Sequence, residues 1–256
     1  MNAVRVDEHP VTAVRHIVLM DLDGAVLDSS VQHALAWQEA FSPCGFRPSQ
    51  HQILAHIAQH GPESMPPGLS REHLRVYGEA VRAMYRAIYT RYYLPVVRPV
   101  SEAVDLIQDL KQQGLQVAVT STGSATVMAI ALERLGLSAW VDATVTQDDL
   151  NGGQPDRYRA ALDKLRASVE EAIVIGTTLY SLRAARRADL PFIAAAPPVP
   201  PYQTWAEAGA MASFADYAAL RAGLHHLLPA SAPDAWLTQP AGQRQRVLHP
   251  QPRVVA

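Results

Sequence analysis

The chain has 256 residues, 48% of them hydrophobic and 18% charged, with a formal net charge of −2. That suits one large globular domain or a domain with an insertion, and the near-neutral balance gives no reason to expect nucleic acid or a membrane surface as partner. No apolar run approaches the roughly 18 residues of a membrane span, the first 20 residues lack a signal-peptide layout, and Cys44, the one cysteine, cannot form an internal disulfide, so the expected compartment is the reducing cytoplasm.

The first element in chain order is "HIVLMD" (16–21), a nearly continuous apolar run that predicts a strand covered on both faces. Residues 29–98 then read as entirely helical. Ser29 and Gln32 make a capping-box pattern ahead of "VQHALAWQEAF", and Leu74, Tyr77, Val81, Met84, Ile88 and Tyr92 recur at helical spacing as one apolar face. Ser101 is the expected N-cap of "EAVDLIQDLKQQ", with Gly114 past its end. Strands follow at "QVAVTS" (116–121), "WVDATVT" (140–146), "AIVIGTT" (172–178) and "PFIAAA" (191–196). Pro155 suits the first turn of the helix "PDRYRAALDKL" between two of them. "APPVPPYQ" is a proline-rich connector, "FADYAALRAGLHHLL" one last helix, and the remainder an irregular tail. Repeated strand–helix units predict an α/β fold, a doubly wound parallel sheet with an inserted all-helical cap. The expected divisions are a core of 14–28 and 99–226, a cap of 29–98 and a tail of 227–256.

The chemistry lies in "HIVLMDLDGAVLDSS" (16–30), where the apolar run ends in Asp21 and Asp23. The carboxyl ends of parallel strands are where such sheets bind ligands. On a regular strand Asp21 and Asp23 would share one covered face of the sheet and not its carboxyl-end crevice, so the chain is expected to break near Gly24 and turn both carboxylates into the crevice. An Asp-Gly turn without function is the plain alternative. A calcium loop lacks its further ligands.

"MDLDGAVLDSS", a helical insertion and then "GLQVAVTSTGS" resemble the haloacid dehalogenase (HAD) superfamily, in its branch of phosphoglycolate phosphatases and β-phosphoglucomutases with a helical cap. The resemblance covers roughly residues 14–220. It implies that Asp21 is the nucleophile forming an aspartyl-phosphate, that Asp23 is the acid/base, and that Thr120, with Ser121 and Gln154, binds the substrate's phosphate beside a helix N-terminus. It also implies Mg²⁺ held by Asp21 and the backbone carbonyl of Asp23. The presence of Asp23 favours phosphate over halide chemistry, since a leaving halide needs no proton.

The remaining motifs depart from the pattern. Gln154 stands where the resemblance expects a lysine, Thr177 and Ser181 where it expects two metal-binding acids, and Ala25 where a threonine follows the Asp-x-Asp-Gly. Mg²⁺ usually needs anionic oxygen ligands to compete with its hydration, so weak binding is expected. Without it, a carboxylate meeting a phosphate at about 4 Å is opposed by roughly 4 kcal/mol at an effective dielectric near 20. Arg157 could swing toward the crevice, but an exposed helix arginine is the preferred reading. Asp148 and Asp149 read as loop acids, and Arg71, Arg75, Arg82 and Arg86 as a solvated cap face. The histidines show no metal-ligand spacing and read as surface or boundary residues, and Cys44 has no evident base.

Two readings stay open. The first is a divergent, phosphatase-like hydrolase acting on a small phosphorylated metabolite through Asp21 and Asp23. The second is a catalytically inactive protein of the same fold that binds a metabolite, another small anion or a protein partner.

Overall fold

The structure, a computed structural model, describes residues 15–150, 156–197 and 204–227. The first element of the described residues is strand β1 (Ile17–Asp21); after a wide turn the chain enters the helical insertion through the short strand β2 (Leu27–Asp28). Three helices follow: α1 (Ser30–Phe41), α2 (Gln50–His60) and α3 (Arg71–Ile88). The chain returns through β3 (Arg98–Pro99), which pairs antiparallel with β2. The rest is α4 (Ala103–Gln112), β4 (Gln116–Thr120), α5 (Ala125–Arg134), β5 (Ala143–Val145), α6 (Gln147–Leu150), α7 (Arg157–Leu165), β6 (Ala172–Gly176), α8 (Leu179–Arg187), β7 (Phe192–Ala195), α9 (Trp205–Ala208), β8 (Ala212–Phe214) and α10 (Tyr217–Leu227).

Among the described residues six strands form one parallel sheet in the order β5-β4-β1-β6-β7-β8. The chain builds outward from β1 on one side and then returns to build outward on the other. β1 therefore sits at the topological switch point, where ligand crevices open in such sheets. Its five residues are all buried, Val18 and Met20 packing into one apolar cluster and Ile17 and Leu19 into another. That is the two-sided burial expected of a continuous apolar strand.

Four local expectations need correction. A sixth strand, β8, occupies Ala212–Phe214, so the final helix begins only at Tyr217. Ser101 does not cap α4; Glu102 stands at the cap position with a positive φ of 60°. Ser29 precedes α1 without capping it, because its hydroxyl is drawn to Asp23 instead. The apolar stripe on α3 is also only partly an inward face. Val81 is buried together with Gly78 and Tyr85, whereas Leu74, Tyr77 and Met84 are 42%, 46% and 40% exposed. Pro155 and the tail beyond 227 lie outside the described residues.

The cap is fastened by aromatic packing. Trp37 on α1 stacks on Tyr85 of α3, ring centroids 3.9 Å apart, and donates its Nε1–H to the carbonyl of Pro62. His33 lies flat on Tyr89 at 3.8 Å.

Candidate active site

β1 ends at Asp21, and the next residues turn sharply. Asp23 keeps an extended conformation and Gly24 takes φ 83°. A side chain at Gly24 would be strained there and would bring a Cβ within 2.9 Å of Thr178 Cγ2. This break lets Asp21 and Asp23 line one crevice, together with Pro62, Thr120, Ser121, Thr122, Arg157 and Tyr180. The expected meeting of the two carboxylates is therefore found.

What surrounds Asp21 differs from expectation. Arg157 is 5% exposed, not a solvated helix residue. Its Nε donates to Asp21 Oδ1 at 2.9 Å and its Nη2 to Oδ2 at 2.8 Å. The local sequence explains the placement. Asp156 caps α7 by accepting from the backbone N–H groups of Tyr158 and Arg159, which fixes Arg157 in the first turn. Side chains there lean toward the helix N-terminus, and so toward the crevice. Thr120 Oγ1 donates to Asp21 Oδ1 and Ser181 Oγ to Oδ2, both at 2.6 Å. Ser181 has one proton and gives it to Asp21, so Thr178 is the donor in the 2.8 Å Thr178–Ser181 contact.

These neighbours set the charge. Burial pushes the Asp21 carboxyl up, but the Arg157 guanidinium with the Ser181 and Thr120 hydroxyls outweighs it and holds the group below the usual carboxylate range. Burial likewise opposes the Arg157 charge, and Asp21 more than restores it. The phenol of Tyr158 is driven well up by burial, then by Asp21.

Asp23 is held from the cap. Its Oδ1 accepts from Ser29 Oγ at 2.7 Å and lies 2.9 Å from His33 Nε2. His33 Nδ1 is 2.7 Å from the Tyr85 hydroxyl, which also donates to Pro62 O at 3.1 Å. His33 is therefore no surface histidine. Ser29 and His33 stand four apart, one turn of α1, and that spacing just after an acidic loop is the signal by which the sequence could have marked both.

The other expected residues divide. Thr120 faces the crevice but spends its hydroxyl on Asp21. Ser121 lines the crevice and its Oγ accepts from Gly123 N–H at 3.0 Å. Gln154 lies outside the described residues. Thr177 donates to the carbonyl of Gly24. Asp148 and Asp149 are structural, accepting from Ala125 N–H and from Lys164 respectively. Of the cap arginines, Arg82 and Arg86 line a separate cleft of about 500 Å³ with Glu63, Thr122 and Gln147. Arg86 donates there to Glu63 and to Gln147 across the cap–core boundary. The crevice itself leaves about 10 Å³, about enough for one water.

The sheet order, the Asp-x-Asp-Gly turn and the cap define a class. The sequence profile of the haloacid dehalogenase-like hydrolase family matches residues 18–195, and the chain belongs to that family, in its phosphoglycolate phosphatase-like branch. Its curated relatives include phosphatases at low identity. It is 26% identical to validoxylamine A 7'-phosphate phosphatase of Streptomyces hygroscopicus subsp. limoneus, over 68% of this chain and 82% of that one. It is 22% identical to a phosphoglycolate phosphatase of Agrobacterium fabrum, over 69% and 78%. Among solved structures, a hydrolase from Pseudomonas syringae superposes with a TM-score of 0.67 at 25% identity, covering 82% of this chain and 98% of that one. A HAD family hydrolase from Deinococcus radiodurans gives 0.58 at 21% identity, covering 86% and 100%. Among the described residues no helix is long and apolar enough to cross a membrane.

Proposed function

We propose that this chain, phosphatase-like in fold and descent, is a binding protein that does not turn over phosphate esters in the form described. One observation carries the reading. A carboxylate offers about four lone-pair sites, and Asp21 meets four donors: two from Arg157, one from Thr120 and one from Ser181. A nucleophile so occupied has no lone pair directed at phosphorus, and the crevice has no room for a phosphoryl group. Ligands would be small, polar and phosphorylated or otherwise anionic, in keeping with the relatives, and would sit in the cleft beside Arg82 and Arg86. A protein partner would need a surface of its own. We place the chain in the cytoplasm on the grounds of its lone thiol, Cys44.

A second reading is favoured by the bonds that Asp23 makes with Ser29 and His33, the latter held in turn by Tyr85. They would orient Asp23 as acid/base in a divergent hydrolase that forms an aspartyl-phosphate at Asp21 once the crevice opens, with little help from weakly held Mg²⁺.

Phosphate release from a panel of phosphomonoesters, with and without Mg²⁺, separates the two. The expected result is no release that depends on Asp21, wild type matching Asp21→Asn. Release that disappears in Asp21→Asn would establish the hydrolase.

A further inference from the structure

We infer that Arg157 is the resident cation of this crevice, taking from within the chain the place that the family pattern gives to a divalent metal and a lysine. The inference shares the crevice geometry with the binding-protein reading but not the absence of turnover, since a metal-free hydrolase would leave it standing.

The donor set does not fit Mg²⁺. That ion demands a near-octahedral oxygen shell and dehydrates reluctantly. Both oxygens of Asp21 already accept two hydrogen bonds each. The two positions where acids are expected carry hydroxyls, and each is committed inside the protein, Ser181 to Asp21 and Thr177 to the Gly24 carbonyl. Among the described residues no three His, Cys, Asp or Glu side chains gather where they could hold a metal.

The same surroundings do fit a guanidinium. It is planar, permanently charged and more weakly hydrated than an ammonium, and its fork matches a carboxylate edge. The Arg157 Cζ lies 4.6 Å from the centroid of Tyr158 and 4.5 Å from that of Tyr180, so two negative ring faces complete its shell. Tyr180 is itself seated against the cap at Gly61, where a Cβ would come within 2.8 Å of the ring. Carboxylate, two aromatic rings and the cap backbone thus form one continuous packing around a single positive charge. Unlike a metal ion, that charge cannot dissociate.

The test is direct binding of Mn²⁺, read from the loss of the free-ion paramagnetic resonance signal, with thermal unfolding in Mg²⁺ as a second readout. Wild type is expected to show neither Asp21-dependent Mn²⁺ uptake nor a Mg²⁺-dependent rise in Tm at millimolar metal. The combined variant Arg157→Gln, Thr177→Asp, Ser181→Asp, which removes the guanidinium and returns two acids, is expected to gain both. Millimolar or tighter binding to wild type that Asp21→Asn abolishes would overturn the inference, as would a folded combined variant that still ignores Mn²⁺. Should the combined variant not fold, the comparison of wild type with Asp21→Asn decides alone.

Discussion

Arg157 grips Asp21 by both carboxylate oxygens, Nε at 2.9 Å from one and Nη2 at 2.8 Å from the other, with both side chains almost wholly buried. Breaking such a pair from one side strands the other charge and costs about 3–5 kcal/mol, whereas replacing both can be nearly neutral. Arg157→Met and Asp21→Asn should each lower the urea midpoint markedly. The double variant should lose much less than the sum, so a cycle of urea titrations yielding additive losses would contradict the pair's importance.

The pH dependence of stability follows from the same pair. The folded Asp21 carboxyl lies below its unfolded value, which is about 3.9 for an ordinary aspartate. Its contribution is therefore complete above that value and is lost as pH falls through the folded one. Unfolding free energies measured across the acid range should fall more steeply for wild type than for Asp21→Asn. Parallel curves would show that Asp21 is not specially held.

Tyr85→Phe isolates the hydroxyl that joins His33 to Pro62. The ring still stacks on Trp37, but His33 Nδ1 and the Pro62 carbonyl each lose a partner. A cost of about 1–3 kcal/mol is expected in chemical denaturation. Trp37→Phe, which leaves a smaller ring against Tyr85 and removes the Trp37 bond to Pro62, should cost more, since it loses packing as well as a hydrogen bond.

Gly61→Ala tests the seat of Tyr180. At φ 86° a side chain is strained, and its Cβ would meet the ring at 2.8–3.1 Å. Backbone strain alone is worth about 1–3 kcal/mol. Because Tyr180→Ala removes the clash but not the strain, and itself uncovers Arg157, Gly61→Ala is expected to lower Tm less in the Tyr180→Ala background than in wild type; equal losses would show that the ring is not seated on Gly61.

The sheet was legible where its chemistry is monotonous. β1, β4, β6 and β7 have unbroken apolar interiors, as strands covered on both faces do, and the break at Gly24 follows from two acids that must share a crevice. β8 was not legible, since three residues containing a serine look like the start of the helix behind them. Arg157 reads as exposed from spacing alone, because an arginine in an amphipathic helix is ordinarily solvated. Only the Asp156 cap, which turns that first position toward the β1 end, argues otherwise, and it acts through geometry that spacing does not record. The α3 stripe misled for the opposite reason: periodicity marks an apolar face, but it does not say whether a neighbour covers all of it.

The cap meets the core through the β2–β3 ribbon, two residue pairs long, with Leu27 opposite Pro99 and Asp28 opposite Arg98. Ser29 is the first residue beyond that ribbon, and it and His33 both reach back to a carboxylate on the core side. The cap is in this sense a lever with a very short arm at Asp23. A swing about the ribbon large enough to lift Gly61 from Tyr180 would pull on both of the bonds that Asp23 receives. The placing of the cap and the hydrogen bonding of Asp23 are thereby joined through Ser29 and His33.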